Sequence, residues 1–256
     1  MAARSGKLLV ALATYNERDN LAPLVAGILR VLPTADILIT DDASPDGTGA
    51  VADALVAGDD RVRVIHRPGK LGLGTAYLGA IRHAMEHGYE LLVTMDADSS
   101  HSPHHLPALI AGMDRHDVMI GSRYVRGGGV VNWPLSRRLM SRMTNFFVRV
   151  QLRLPARDTS SGYRCYRVEL LRRADLDAFL SRGYSFLQEV LQRCVKAGAR
   201  VGETPIVFVD RAAGQSKAGL GEISRSLFVL LRLGWKTLWS RAAAIPMKSI
   251  TNRKAA

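Results

Sequence analysis

Four apolar runs in this sequence stop at clusters of oxygen-bearing or charged side chains. Residues 7–13 end in Thr14-Tyr15-Asn16-Glu17, and residues 36–40 end in Asp41-Asp42-Ala43-Ser44-Pro45-Asp46-Gly47. Residues 91–95 end in Asp96-Ala97-Asp98-Ser99-Ser100-His101, and residues 117–121 in Ser122-Arg123-Tyr124. Asp96-Ala97-Asp98 bears the most chemistry. Two carboxylates two positions apart after a buried strand repel each other unless a cation lies between them. Their oxygens suit Mg2+ or Mn2+, ions that keep coordination positions open for substrate phosphates. An isolated Asp-x-Asp reads more often as a solvated acidic turn; the polar ends of the other three runs favour the cation. Asp42 is placed to accept hydrogen bonds from a base or ribose, as acidic residues at strand ends do in nucleotide folds. Pro45 and Gly47 supply the turn that follows it.

Cations come later in the chain. Arg123, Arg137, Arg164, Arg211 and Lys217 fall at element ends or in glycine-bearing loops. A guanidinium matches phosphate oxygens in a planar fork, and a solvated surface charge is the alternative for any one of them. The segment 158–164 puts hydroxyls, a carboxylate and a cation in one loop. Two patterns mislead. Gly72-Leu73-Gly74 lacks the third glycine of a dinucleotide loop and reads as a loop feeding the next helix. His101, His104 and His105 have Pro103 among them and no fourth ligand, which argues against structural zinc. A helix start near Pro103, with His101 facing the site, is the better reading.

These residues must be positioned by alternating strands and helices. Strands are expected over 7–13, 36–40, 61–66, 91–95 and 117–121. Helices at 3.6-residue spacing are expected over 20–32, 50–57 and 75–87. Near-continuous apolar strands alternating with helices imply a mostly parallel sheet covered on both faces, an α/β fold. In such a sheet the carboxyl ends of the strands share one edge, so the four polar clusters meet in one crevice. Beyond residue 122 the pattern changes. Residues 136–152 form an amphipathic helix with Leu139, Met140, Met143, Phe146, Phe147 and Val150 on one face, against Arg137, Arg138, Arg142 and Arg149. Further helices are expected over 187–197 and 222–241, and a strand over 206–210. Of the two late amphipathic helices, the first is expected to pack near the site and the second to border a membrane, with Trp235 and Trp239 on an interfacial face.

Composition narrows the class. The chain has 256 residues, 47% of them hydrophobic, enough for a substantial core. Disorder and fibrous structure are excluded. Cys165 and Cys194 are too few for a disulfide scaffold and fit a reducing compartment. No secretory signal is expected, and the closest approach to a spanning helix, residues 226–239, is broken by Arg232 and Lys236. The net charge is +12, but residues 1–100 carry net −4 and residues 101–256 net +16. The excess of Lys and Arg suits nucleic acid, a membrane surface or phosphorylated substrates. The expected organisation is a single domain over 1–241, with a nucleotide-binding part over about 7–121 and an acceptor- and membrane-facing part over about 122–241. A basic tail occupies 242–256.

Taken in order, the motifs resemble those of the dolichol-phosphate (polyprenol-phosphate) mannose synthases, inverting family 2 glycosyltransferases of GT-A fold. The resemblance covers about residues 7–240. It rests on the four strand ends, on Asn132-Trp133-Pro134 followed by Arg137, and on Arg211 with Gly214-Gln215-Ser216-Lys217. It implies GDP-mannose as donor and dolichyl or another polyprenyl phosphate as acceptor. Tyr15, Glu17, Thr40 and Asp42 would hold the nucleotide, with Ala13 standing where the family has Pro. Asp96, Ala97 and Asp98 would contact donor and metal, and Ser100, which stands where some members use a Gln ligand, would bind the metal weakly or through water. Arg123, Arg137 and Arg211 would bind phosphates, with Lys217 beside them. Asp96, Asp98 and Arg123 are the expected catalytic residues. The implied location is the cytoplasmic face of a membrane, held peripherally, as in the short type without transmembrane helices.

Displacing a nucleoside diphosphate requires neutralising the leaving group, which Mg2+ or Mn2+ at Asp96 and Asp98 would do. An anionic phosphate acceptor needs little base catalysis, in keeping with the lack of a convincing His–Asp or Ser–His base. Three alternatives stand beside this. One is a UDP-sugar donor, as in a polyprenyl-phosphate glucosyltransferase. Another is a non-catalytic relative. The third is a basic nucleic-acid-binding module, which the acidic strand ends and the missing pattern of stacking aromatics oppose.

Overall fold

A computed structural model describes residues 7–176 and 185–209. Its first half alternates β1 (Leu8–Thr14), α1 (Arg18–Val31), β2 (Asp36–Asp41), α2 (Thr48–Gly58), β3 (Val62–His66), α3 (Leu73–Glu86) and β4 (Leu91–Asp96). Then come α4 (Leu106–Ala111), β5 (Val118–Ser122), β6 (Gly129–Val131) and α5 (Leu135–Leu152). β7 (Arg164–Arg167), α6 (Val168–Arg173), α7 (Phe186–Lys196), β8 (Val201–Pro205) and β9 (Val207–Val209) follow. The helix expected over 222–241, with Trp235 and Trp239, lies outside the described residues, as do Arg211, the Gly214–Lys217 motif and the tail.

The main sheet runs β3-β2-β1-β4-β7-β5-β8, and β6 pairs with β9 separately. Side chains alternate across the strands. Leu9 and Ala11 join the core under α3, α5, α6 and α7, whereas Val10 and Leu12 join the core under α1, α2 and α4. Burial on both faces is why these strands read as unbroken apolar runs. A fully buried side chain such as Ile28, at 0% exposure, contributes roughly 1.5–3 kcal/mol relative to an exposed one.

β1 is the switch point of the sheet. The chain moves outward from β1 through β2 to β3, then returns to place β4 on the other side of β1. The helices leaving β1 and β4 therefore diverge and open a crevice at their carboxyl ends. Ala13 lies opposite Thr40 on one side and Asp96 on the other, so the polar clusters after β1, β2 and β4 line up along one edge.

The structure departs from the sequence expectations in three places. β7 is an antiparallel strand wedged between β4 and β5, in a stretch that reads as loop because two of its four residues are arginines. The strand expected over 206–210 is found as β9, but in the small sheet, and the main sheet takes β8, an unexpected strand just before it. β8 ends in the main sheet at Pro205, and β9 starts the small sheet at Val207. Residue 210 lies outside the described residues. The third departure concerns α5. Its apolar face does not pack on the core: Leu139, Met140, Met143, Phe146, Phe147 and Val150 are all exposed. The buried stripe is instead Asn145, Val148 and Leu152.

Candidate active site

Local turn chemistry builds the edge after β1 and β2. Asn16 and Ala43 adopt left-handed backbone, with φ of 59° and 52°. Asp41 fastens the two strand ends. Its carboxylate accepts hydrogen bonds from the Thr14 hydroxyl (3.0 Å) and from the Ser44 backbone N–H (3.1 Å) and hydroxyl. The Glu17 backbone N–H donates to Thr48 Oγ1 (2.9 Å), and the Glu17 carboxylate accepts from Asn20 Nδ2 (2.9 Å). Glu17, Thr40 and Asp42 are buried at this edge.

Asp42 faces a loop that sequence reasoning treated only as a lead into α3. Its Oδ2 accepts the Gly72 backbone N–H (3.0 Å), and its carboxylate pairs with Arg67. Arg67 in turn donates to Thr75 Oγ1 (2.6 Å) and to the Gly72 carbonyl (3.1 Å). Lys70 Nζ lies 4.2 Å from the centre of the Tyr15 ring, a cation–π contact. Arg67, Lys70 and Gly72 thus join Tyr15 and Asp42 at this end of the crevice. The only sequence signal for them is their place around the Pro68-Gly69 turn.

Asp96 ends β4, and the Asp96 backbone N–H donates to Nδ1 of His101 (3.0 Å). His101 is buried and stacked on Tyr163, with ring centres 4.9 Å apart. Burial pushes its pKa down, against the pull of Asp96 and Asp98, so the ring is neutral at pH 7. The Tyr77 hydroxyl donates to Asp96 Oδ1 (3.3 Å), and burial together with Asp96 holds its pKa well above the ordinary value. Asp98 is buried and accepts the Ser100 backbone N–H (3.1 Å) and hydroxyl, so Ser100 braces the carboxylate from behind. Ala97 is buried between the two acids. Gly162 lies against Asp96, where a Cβ would come 3.3 Å from Oδ1. A bare glycine leaves that carboxylate uncovered.

The donor set fits a hard divalent ion. It is all oxygen, and two carboxylates leave coordination positions for phosphate. Among the described residues no group of three or more His, Cys, Asp or Glu converges on one point, so nucleotide oxygens would complete the shell. The three histidines do not converge either. His104 is exposed, and His105 Nε2 accepts the Val207 N–H (3.4 Å). Pro103 opens a short 3-10 turn ahead of α4.

Arg123 follows β5. Its Nε and Nη2 donate to the two oxygens of Asp158 (2.7 Å each), and Nη2 also donates to Ser160 Oγ (2.7 Å). Burial disfavours its charge, but Asp158 outweighs this and raises the Arg123 pKa. The guanidinium lies among the rings of Tyr124, Phe208 and Trp133, at 5.3, 5.5 and 5.7 Å. Arg137 stacks on Trp133 at 4.1 Å. Phe208 also contacts His101 edge-on at 5.8 Å, joining the arginine cluster to the acidic one. Gly128 permits this packing, since a Cβ there would come 2.5 Å from the Ser122 carbonyl oxygen.

Arg164 plays a different part from the one its position suggests. It is fully buried and donates to the carbonyls of Ser161, Leu187 and Thr159, each at 2.7 Å. It shapes the 158–161 loop, with its donors turned to backbone carbonyls rather than to the crevice.

Residues 9–174 match the family model described as glycosyl transferase family 2. The undecaprenyl-phosphate mannosyltransferase of Micrococcus luteus is 44% identical over 91% of this chain and 96% of its own. The polyprenol monophosphomannose synthase of Mycolicibacterium smegmatis is 42% identical over 93% of this chain and 91% of its own. Among solved structures, a mannosyltransferase from Pyrobaculum calidifontis in complex with GDP-Man and Mn2+ superimposes with a TM-score of 0.57. It is 15% identical, and the match covers 94% of this chain and 76% of that one. That likeness is one of fold, the GT-A arrangement of a mostly parallel sheet between helices. The sheet edge, the acidic pair and the family match lead to one conclusion: the chain belongs to glycosyl transferase family 2 and is a glycosyltransferase.

Proposed function

We propose that this protein transfers mannose from GDP-mannose to a polyprenyl phosphate, dolichyl phosphate included, with inversion at the anomeric carbon. The observation that carries this reading is the meeting of an acidic pair, Asp96 and Asp98, with an Arg123–Trp133–Arg137 cluster across Phe208. One end suits a nucleotide diphosphate and its ion, and the other an anionic acceptor. The two relatives named above support the choice of sugar and acceptor.

In this reading Tyr15, Glu17, Thr40 and Asp42 hold the nucleoside beside Ala13. Asp96 and Asp98 would hold a divalent ion, Mg2+ or Mn2+, with Ser100, hydrogen-bonded to Asp98, ligating it weakly or through water. When bound, that ion neutralises charge on the departing diphosphate. Arg123 and Arg137, with Arg211 and Lys217 from outside the described residues, position the acceptor phosphate. A phosphate oxygen then attacks the anomeric carbon from the face opposite the diphosphate. The new C–O bond forms as the old one breaks, and the bonding pair leaves with GDP. The attacking oxygen is already anionic, so no side chain needs to remove a proton. His101, with Nδ1 occupied by a backbone N–H, is not required as a base. Positioning and charge stabilisation supply the rate.

We also place the protein peripherally on the cytoplasmic face of a membrane. No helix among the described residues is long and apolar enough to cross one. α5, however, presents Leu139, Met143 and Phe146 outward beside Arg138, Arg142 and Arg149, the composition of a helix lying in a lipid interface.

The test is transfer of radiolabel from GDP-mannose or UDP-glucose to polyprenyl phosphate in the presence of Mn2+ or Mg2+. Label in the lipid from GDP-mannose, with the anomeric configuration inverted, is the expected result. Label only from the UDP-sugar would overturn the choice of mannose. Label from neither, with salt-sensitive retardation of nucleic acid, would overturn the whole reading.

A further inference from the structure

One buried amide ties the helix with the exposed apolar face to the loop that holds Arg123. Asn145 sits midway along α5 and is 3% exposed. Its Oδ1 accepts the Thr159 backbone N–H (2.8 Å) and the Thr159 hydroxyl (2.9 Å). Its Nδ2 donates to the Ser141 carbonyl one turn earlier (2.9 Å) and to Ser160 Oγ (3.1 Å). A side-chain amide has two donors and two acceptor lone pairs, and here all are used within the described residues. The Ser160 hydroxyl that receives the Asn145 amide also receives Arg123 Nη2 (2.7 Å) and donates to Asp158 Oδ1 (3.2 Å). One oxygen therefore separates Asn145 from the guanidinium. A second tie runs parallel, from the Tyr124 hydroxyl to Ser141 Oγ (2.6 Å).

An apolar residue would serve packing better at this point. Asn is a middling helix former, and Val148 and Leu152 on the same stripe are apolar. A buried amide that makes three of its four hydrogen bonds to one loop specifies where that loop sits.

We infer that Asn145 is a positioning residue for Arg123: it sets the 158–161 loop, and through Ser160 and Asp158 the guanidinium, against α5. The inference rests on the transferase reading for what Arg123 does, and on geometry alone for the link. Because α5 is also the helix assigned to the lipid surface, Asn145 joins that surface to the acceptor-phosphate arginine.

The experiment is a double-mutant cycle on the full chain with Asn145→Ala and Arg123→Ala, reading kcat and KM for polyprenyl phosphate, GDP affinity in Mn2+, and amide hydrogen exchange. Asn145→Ala should leave GDP affinity within about twofold and lower kcat/KM for the acceptor by about 10–100-fold, the usual scale for a supporting hydrogen bond behind a ligand. It should speed exchange at the Thr159 amide and at the Arg123 amide, which donates to Asp158 (3.0 Å). In the Arg123→Ala background it should cost nothing further. Asn145→Asp keeps both acceptors for Thr159 and should recover part of the loss; it replaces the alanine variant in the cycle if that one does not fold. Equal losses in GDP affinity and acceptor efficiency, or losses that multiply in the double variant, would overturn the inference. A wild-type protein that makes no mannosyl lipid overturns the transferase reading instead. In that case unchanged exchange at Arg123 in the Asn145 variant overturns the link, and faster exchange upholds it.

Discussion

Arg123 and Asp158 form a two-point ion pair, with Nε–Oδ2 and Nη2–Oδ1 both 2.7 Å and the carboxylate fully buried. The Arg123 backbone N–H adds a third bond to the same acid. Asp158 is itself anchored, since its N–H and that of Arg157 donate to Glu203 on β8 (2.9 and 2.8 Å). The Arg123 guanidinium is thereby fixed before any ligand arrives. Preorganisation of this kind suits the binding of an anionic phosphate without reorganisation at the moment of reaction.

Breaking one side of that pair leaves a buried charge without its partner. Asp158→Asn should destabilise the fold by about 3 kcal/mol, measured by urea unfolding at pH 7. Burial raises the Asp158 pKa, but Arg123 outweighs this and holds it below the ordinary value of 3.8. A carboxyl depressed in the folded state contributes its stability above the unfolded pKa and loses it as pH falls through the folded one. Wild-type stability should therefore drop more steeply than that of Asp158→Asn below about pH 4. Parallel curves would mean that the pair does not govern acid sensitivity.

Asp98→Ala should reduce mannosyl transfer by at least about 100-fold while the melting transition persists, since it removes a ligand for charge neutralisation. Ser100→Ala, which removes only the hydroxyl behind Asp98, should cost about tenfold. Full activity of Asp98→Ala would refute the metal assignment. Radiolabel transfer and thermal unfolding, run side by side, make the comparison.

Chelation tests the same site without mutation. EDTA should abolish transfer, and Mn2+ or Mg2+ added in excess should restore it. The thermal shift produced by GDP should be larger with the ion than without it, because bound ligands stabilise in proportion to their affinity. Transfer that persists in EDTA would remove the ion from the mechanism.

Met143→Glu with Phe146→Glu should lower flotation of the protein with phospholipid vesicles. Each side chain is about two-thirds exposed, so stability should stay within about 0.5 kcal/mol for each change. Unaltered flotation on vesicles containing anionic lipid would exclude α5 as the contact.

Much of the catalytic edge was readable in the linear chain. Strands buried on both faces appear as runs such as Leu8 to Ala13, and the polar residues after them must lie where the strands end. The acidic pair suggested a cation once its place after β4 was taken together with the polar ends of the other strands. Turn chemistry is also local, so Pro45, Gly47 and the helix start at Pro103 could be read from a few neighbours.

Other features depended on residues far apart in sequence. Asp158 meets Arg123 across 35 positions, and Asp42 meets Gly72 across 30; neither partner carries a local mark of the other. Arg164 reads as a phosphate ligand until three backbone carbonyls are found around it. α5 shows the limit most clearly. Its amphipathic pattern is plain in the sequence, and a packed apolar face is the ordinary inference from it. Periodicity reveals that a helix has two faces, but only the surrounding elements decide which is covered. Here the stripe of Asn145, Val148 and Leu152 turns inward, where the 158–161 loop offers hydrogen bonds to Asn145 and the core takes Val148 and Leu152, and the face from Leu139 to Val150 is left outside.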